Sequence, residues 1–350
     1  MTGDTVTGGT VAGGRSGVEV LAWSRGLLDP ALREAIDRLP DAMRRIAAYH
    51  FGWCDEHGRP ADAAGGKAIR PALVLLIAEA SGGTAAAALP AAAAVELAHN
   101  FSLLHDDVMD GDLTRRHRAT VWSVFGEPAA ILAGDALLAR AFELIADAPH
   151  AAAPRAGRVL AGAVLDLVEG QSADMAFELR ENVDLDECLA MAADKTAALL
   201  AGACTIGAAH GTGPPGRIDH YHRFGERLGL AFQLVDDLLG IWGDPAVTGK
   251  PVHSDLRSRK KSLPVVAALT SGGAASEELA ALYRADHTLT AAEAGRAAEL
   301  VEAAGGRAWA ARRADEYLEE ALTHLDLAEP AAPAAEELRA LARLTTVRDH

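Results

Sequence analysis

An all-α fold is what this 350-residue sequence predicts, and three features predict it. Apolar residues recur at helical spacing in long runs almost to the C-terminus. No convincing alternating apolar–polar stretch interrupts them. Half of the residues are apolar, alanine dominates that half, and aromatics are only 5%. Small side chains let helices approach closely, and a chain of this length has ample core to bury.

The elements are read in order. Met1 to Gly17 is Gly/Thr-rich and lacks the apolar run of a signal peptide, so residues 1–24 are expected to be a disordered tail and 25–350 a single all-α domain. Asp29-Pro30 reads as an N-cap followed by a first-turn proline, opening a helix that carries Leu32, Ile36, Leu39 and Met43. Gly58 to Gly66 reads as a loop. Pro71 opens an apolar helix through Ala80 that Ser81-Gly82-Gly83 stops, and Pro90 opens the next. Further helices are predicted over Thr120–Ala146, Ala152–Leu179, Asp184–His210, Ile218–Ile241, Leu263–Thr270, Ser276–Arg284, Ala291–Ala303, Arg307–His324 and Ala334–Leu344. Gly243 to Ser262 is polar, cationic and punctuated by Gly and Pro, a loop able to close over a bound anion.

Charge and cysteine usage narrow the function classes. A net charge of −16 argues against nucleic acid as a partner, because an acidic surface repels phosphate backbones. Cys54, Cys188 and Cys204 are too few and too scattered for a disulfide framework or a metal site, and read as core fillers in a reducing compartment. The best membrane candidate, Ala197 to Ala209, is too short to span a bilayer, so no transmembrane segment and a cytoplasmic location are expected.

Aspartates gather in two clusters of one grammar: His105-Asp106-Asp107-Val108-Met109-Asp110, and Asp236-Asp237 followed by Asp244. Each ends a long apolar run, and each is followed by cations: Arg115, Arg116 and Arg118 after the first, and Lys250, Arg257, Arg259, Lys260 and Lys261 after the second. Asp106 and Asp110 are four apart, hence on one helix face a turn apart. Clustered carboxylates in apolar surroundings suit hard divalent cations, and the cations suit phosphate oxygens. The pattern points to Mg2+ and a diphosphate. Of 33 Lys and Arg only five are lysine, Lys67, Lys195, Lys250, Lys260 and Lys261, and all five lie in or beside these segments. Taken alone, Gly65-Gly66-Lys67 with Arg70 at a helix start is a weak anion cradle. His99, about 10 Å before Asp106 along the helix, is by itself more often a core histidine. Lys195-Thr196 inside the apolar run Met191 to Ala209 is suggestive only.

In sequence order, however, these segments resemble the trans-polyprenyl diphosphate synthase family over about residues 60–265. The resemblance rests on Gly65-Gly66-Lys67-…-Arg70-Pro71, the first aspartate motif with Arg115-Arg116, Gly170-Gln171…Asp174, and Lys195-Thr196. It rests further on Phe232-Gln233-Leu234-Val235-Asp236-Asp237 with Gly243-Asp244, and on Gly249-Lys250-Pro251…Asp255-Leu256-Arg257…Lys260. The resemblance implies an isoprenoid-synthase-type helical bundle with a deep central cavity, and a homodimer. It implies Mg2+ held by Asp106, Asp110 and Asp236, with Arg115, Lys195, Lys250 and Lys260 around an allylic diphosphate. Isopentenyl diphosphate would be gripped by Lys67, Arg70, His99 and Arg116. Thr196, Gln233 and the Lys195 carbonyl would face the allylic cation. His117, Ala119 and His253 depart from the family pattern. So does Gly240, where a third carboxylate is expected; an aspartate there is predicted to be tolerated.

Product length rests on Phe101 and Ser102. In the resemblance, the residue five before the first aspartate floors the growing chain, although a helical wheel turns Phe101 away from Asp106 and Ser102 toward it. One aromatic beside a small serine implies geranylgeranyl diphosphate, with farnesyl diphosphate as the alternative. A class I terpene cyclase is the rival from another class, but it binds one substrate and has no use for a second cradle at Lys67, Arg70 and Arg116.

Overall fold

In the computed structural model the described residues are 14–61, 66–245, 252–285 and 287–346, so the expected tail up to residue 13 lies outside them. From Gly17 the chain is helical, and α1 spans Gly17–Asp37. Ser16 starts it: its hydroxyl accepts the Glu19 N–H while the Glu19 carboxylate accepts the Ser16 N–H at 2.8 Å, a reciprocal capping box. This corrects the tail expected up to residue 24, and it corrects the helix start expected at Asp29-Pro30. Pro30 lies inside α1. Val20, Ser24, Leu28, Leu32 and Ile36 form one buried stripe that crosses it, and that burial outweighs a mid-helix proline's cost of about 3 kcal/mol. The helix expected to reach Met43 stops at Asp37, and α2 (Asp41–His50) begins after Pro40.

α3 covers Ile69–Ala80 and α4 covers Ala85–Met109; Thr84 caps α4, ahead of the predicted start at Pro90. A small hairpin follows, β1 (Thr114–Arg115) against β2 (Arg118–Ala119), too short for any periodicity to show. Gly126, at φ 88°, splits the predicted Thr120–Ala146 helix into α5 (Val121–Phe125) and α6 (Glu127–Ala146). α7 is Ala153–Leu179. α8 (Leu185–Ala192) passes through a π turn (Ala193–Ala197) into α9 (Ala198–Ala209), and α10 is Gly216–Trp242. Inside the predicted loop lies a short helix, α11 (Ser254–Arg257). The bundle is completed by α12 (Leu263–Thr270), α13 (Ala274–Tyr283), α14 (Ala291–Ala303), α15 (Gly306–Leu327) and α16 (Ala334–Thr346).

α3 is buried all round and joins two halves of the core. Leu73, Leu76 and Ile77 belong to the core half that holds Tyr221, Phe224 and Leu318, whereas Val74 and Leu75 belong to the half that holds Leu97, Leu104 and Leu137. The segments Ala85–Met109 and Leu185–Ala209 are long and apolar enough to cross a membrane, more than the short window expected, but most of each is buried within the bundle. Burial of this kind marks core helices. All three cysteines are free and buried.

Arg15 ties the start of the described chain to its last helix. Its Nε lies 2.9 Å from Glu337 Oε1 and its Nη2 2.6 Å from Oε2, and the Glu337 side chain is only 3% exposed. Removing one partner of a buried pair strands the other charge, so Arg15→Ala should lower stability by about 2–4 kcal/mol, read as a lowered midpoint in urea unfolding with m unchanged.

Candidate active site

The two aspartate clusters obey one rule in three dimensions. In each adjacent pair the second carboxylate turns inward and is satisfied by the protein. Asp107, 2% exposed, pairs with Arg115 Nε at 2.6 Å. Asp237 accepts Gln233 Nε2–H at 2.7 Å on Oδ1 and the Leu263 N–H at 2.9 Å on Oδ2, so it caps the start of α12. Neighbours on a helix point about 100° apart, so Asp106 and Asp236 turn away from those contacts. Asp106 is partly exposed, and Asp110, the C-cap of α4, and Asp236 are exposed.

Burial pushes the Asp106 carboxyl up to about 6, with Asp110 adding to the rise and Lys195 opposing it. Asp237 is likewise pushed up by burial, to about 7.

Between the clusters stands a half-buried triad. Lys195 Nζ is 2.6 Å from Asp174 Oδ2, and Lys260 Nζ is 3.7 Å from the same oxygen. Burial would raise the Asp174 carboxyl, but the fields of Lys260 and Lys195 outweigh it and hold it down. Burial would lower the Lys260 ammonium, yet Asp174, Asp255, Asp237 and Asp110 together raise it. Lys260 therefore stays charged within the field of both clusters.

Lys195 and Thr196 lie in the π turn, where the Ala198 N–H reaches back to Ala193 O. Such single widened turns collect at functional sites. Two glycines let neighbouring helices press against it: a Cβ at Gly170 would be 2.2 Å from Lys195 N, and one at Gly229 would be 2.5 Å from Ala197 Cα. That is the physical content of the Gly170-Gln171 segment. Thr196 Oγ1 donates to Gln233 Oε1 at 2.6 Å, which continues through Gln233 to Asp237. Gln171 is 5% exposed with neither amide atom hydrogen-bonded inside the protein, a polar group the sequence reading left unused.

A second constellation forms where α3, α4 and the hairpin meet. The Arg70 guanidinium donates from Nη1 to His99 Nε2 at 3.3 Å, which requires a neutral ring. Burial, then Arg70, Arg116 and Arg115, keep His99 well below its usual range. Arg116 and His117 are the hairpin turn, with φ 52° and 61°, a left-handed pair built without glycine. The turn sends the Arg116 guanidinium over Gly66, next to Lys67. Missed by sequence reasoning is Glu96, 6% exposed, whose buried carboxylate lies in the field of Arg70, Arg116 and Arg25. Its only hint was a charged residue inside the apolar run before His99.

Several readings are corrected. Arg115 is engaged by Asp107, and Arg118 serves the fold by donating to the carbonyls of Tyr49 and Cys54 at 2.8 and 3.1 Å. Lys261 does not turn to the site: its Nζ donates to Phe177 O at 2.6 Å and to Arg180 O, closing the C-terminus of α7. An aspartate at Gly240 would require the Asp255 side chain to turn aside, because a Cβ there would meet Asp255 Oδ2 at 2.2 Å. Lys250 lies outside the described residues.

Two cationic constellations, one bordered by outward aspartates, in an all-α bundle leave few families open. The polyprenyl synthetase profile matches residues 53–301. The chain belongs to the polyprenyl synthetase family. It is similar to the (2E,6E)-farnesyl diphosphate synthase of Mycobacterium tuberculosis, 48% identical over 328 residues, covering 92% of this chain and 91% of the relative. It is also similar to the geranylgeranyl diphosphate synthase of the same organism, 47% identical over 334 residues, covering 95% and 94%. The crystal structure of polyprenyl synthetase from Streptomyces coelicolor A3(2) matches with a TM-score of 0.90 and 49% identity, covering 94% of this chain and 99% of the other. This polyprenyl synthetase is therefore a prenyltransferase of isoprenoid biosynthesis with the all-α isoprenoid-synthase fold.

The donor set fits the divalent metal that polyprenyl synthetases use. Among the described residues no three His, Cys, Asp or Glu side chains form a preassembled site. Mg2+ needs none, since it typically takes one or two carboxylates and completes its shell with phosphate oxygens and water.

Beneath the second constellation, His50 Nε2–H donates to Asn100 Oδ1 at 3.0 Å, and Asn100 Nδ2 donates to Glu96. Burial, then Arg116 and Arg115, lower His50 to about 3. The unfolded chain therefore binds a proton that the folded chain refuses between about pH 6.5 and 3, and the stability this residue supplies above pH 6.5 is lost as pH falls through that window. His50→Gln should flatten the decline by up to about 1.4 kcal/mol per pH unit, measured as the pH dependence of urea unfolding against the parent chain.

Proposed function

We propose that the enzyme condenses isopentenyl diphosphate head-to-tail with allylic diphosphates and releases geranylgeranyl diphosphate as its main product. The observation that carries a two-substrate reaction is the presence of two cationic constellations: Asp106, Asp110 and Asp236 with Lys195 and Lys260, and Arg70, His99 and Arg116 with Lys67. A cyclase acting on one diphosphate would need only the first.

In this reading Asp106, Asp110 and Asp236 hold Mg2+, which when bound supplies charge stabilisation to the departing diphosphate. Lys195 and Lys260, fixed by Asp174, offer preorganised positive charge to the same leaving group. Arg70, His99, Arg116 and Lys67 orient isopentenyl diphosphate so that its double bond meets the allylic carbon. Thr196, Gln233 and the Lys195 carbonyl face the developing cation. The released diphosphate takes the proton, so no side-chain base is required.

A homodimer in the cytoplasm completes the reading. Ile131 and Leu132 on α6 and Leu165 and Val168 on the neighbouring α7 are 43%, 56%, 70% and 50% exposed, an apolar surface suited to a second copy. Product length rests on Phe101 and Ser102. Phe101 is buried with its ring 4.8 Å from that of His105, while Ser102 donates to His99 O at 2.8 Å and leaves little bulk beside it.

Incubation with isopentenyl diphosphate plus dimethylallyl or farnesyl diphosphate should consume both and release linear prenyl diphosphates. Asp106→Ala and Asp110→Ala should each reduce turnover by orders of magnitude with the fold intact. Lys67→Ala or Arg70→Ala should raise KM for isopentenyl diphosphate more than for the allylic substrate. Cyclic hydrocarbons from an allylic substrate alone would refute the reading.

Chain-length analysis tests the finer assignment. Phe101→Ala should lengthen the product, and Ser102→Phe should shorten it to farnesyl diphosphate. An unchanged product from both variants would place the floor on another helix.

A further inference from the structure

One cation at the second constellation lies outside every motif segment. Arg25 is on α1, and its Nη2 donates to the Gly66 carbonyl, one residue before Lys67. Arg25, Gly66, Glu96, Asn100 and Arg116 line one cavity of about 20 Å3, so the first helix meets the glycine turn, α4 and the hairpin at one place. We infer that Arg25 is a positioning residue for isopentenyl diphosphate: it fixes the turn that carries Lys67 and leads into Arg70.

The local chain needs such a hold. Gly66, Lys67 and Ala68 are irregular backbone ahead of α3, and the N-cap of α3 is Ala68, which has no side-chain acceptor. Ala68 sits at φ 51°, a left-handed conformation that a non-glycine residue keeps only where its surroundings impose it. Two guanidinium groups act on Gly66 just before it. Arg116 lies over the α-carbon, where an added Cβ would meet Nη2 at 2.3 Å and Cζ at 2.7 Å, and Arg25 takes the carbonyl. A trans peptide points its C=O and N–H in opposite directions, so holding the Gly66 carbonyl to Arg25 turns the Lys67 N–H away from it. One hydrogen bond thereby sets the direction in which the chain leaves Gly66.

Packing and charge support the same role. Ser24 and Leu28 are fully buried on the same helix, which fixes the stretch of α1 from which Arg25 reaches out. Arg25 acts on Glu96 as an opposite charge and on Arg116 as a like one, so its guanidinium belongs to the charge balance of the cradle. Because it grips backbone, Arg25 acts on the substrate through Lys67 and Arg70, not by contact.

The inference rests on the reading that Lys67, Arg70, His99 and Arg116 bind isopentenyl diphosphate, and the test separates the two. Steady-state kinetics of the full-length protein give KM for isopentenyl diphosphate and for dimethylallyl diphosphate separately, with thermal unfolding as the check on folding. Arg25→Met, which keeps the apolar stem and loses every donor, should raise KM for isopentenyl diphosphate about 5- to 10-fold. Its KM for dimethylallyl diphosphate and its kcat should stay within about twofold of the parent. Arg25→Lys, whose ammonium can reach the same carbonyl, should recover most of the loss. Val20→Ala, more than a turn away on α1, should lower the unfolding midpoint without changing the ratio of the two KM values. A parent-like KM for isopentenyl diphosphate in Arg25→Met, while Lys67→Ala raises it, would overturn this inference alone. So would an equal rise in both KM values, or the same split in Val20→Ala. Parent-like values in Lys67→Ala and Arg70→Ala would overturn the reading of the cradle itself, and this inference with it.

Discussion

Asp174 holds two ammonium groups in a half-buried place, and the arrangement of the site depends on that pairing. Lys195 comes from the π turn, Lys260 from the loop after α10, and Asp174 from α7, so one carboxylate joins three parts of the chain. An isolated buried lysine would lose its proton or its burial. Asp174, with Asp255, Asp237 and Asp110, holds the Lys260 ammonium charged, and the ammonium groups on Asp174 border the space next to Asp106, Asp110 and Asp236. Lys261 secures the same loop from its other side by closing the C-terminus of α7. The next lysine along the chain thus does structural work that lets Lys260 do electrostatic work.

Paired aspartates follow from helix geometry. Two consecutive residues cannot face the same way on a helix, so in each pair one carboxylate must be satisfied by the protein if the other is to meet a ligand. Arg115 does this for Asp107, and Gln233 with the start of α12 does it for Asp237. Through Gln233, Asp237 also reaches Thr196, so the second aspartate cluster and the π turn are one hydrogen-bonded unit. The second constellation is organised around Glu96, whose buried charge lies among Arg70, Arg116 and Arg25. A lone arginine cluster would repel itself when empty; a carboxylate in its midst offsets that repulsion.

Some of this was legible because it is local. Helix termini at Leu263–Thr270 and Ala291–Ala303 were read to the residue, and caps, glycines and apolar spacing suffice for such boundaries. The motif residues also announced themselves, since carboxylates and lysines inside apolar runs are costly without a purpose. Misreadings arose where local signals met a distant partner. Asp29-Pro30 looks like a helix start, yet the stripe from Val20 to Ile36 carries α1 through it. Arg115, Arg116 and Arg118 look alike in sequence, but a left-handed turn at positions 116 and 117 gives them an aspartate, a cradle and two backbone carbonyls respectively.

By itself, then, the sequence determined the all-α class, the family, and which segments carry charge into the core, because periodicity and the cost of buried charge act between near neighbours. Tertiary structure alone decided which charge meets which. Asp174 with two lysines 21 and 86 residues away, Glu96 within the arginine cradle, and Asp255 in the space left by Gly240 are contacts between distant parts of the chain. Electrostatic attraction and steric exclusion depend on distance in space, and only the packing of α7 and α10 around the π turn, and of α3 against α4, sets those distances.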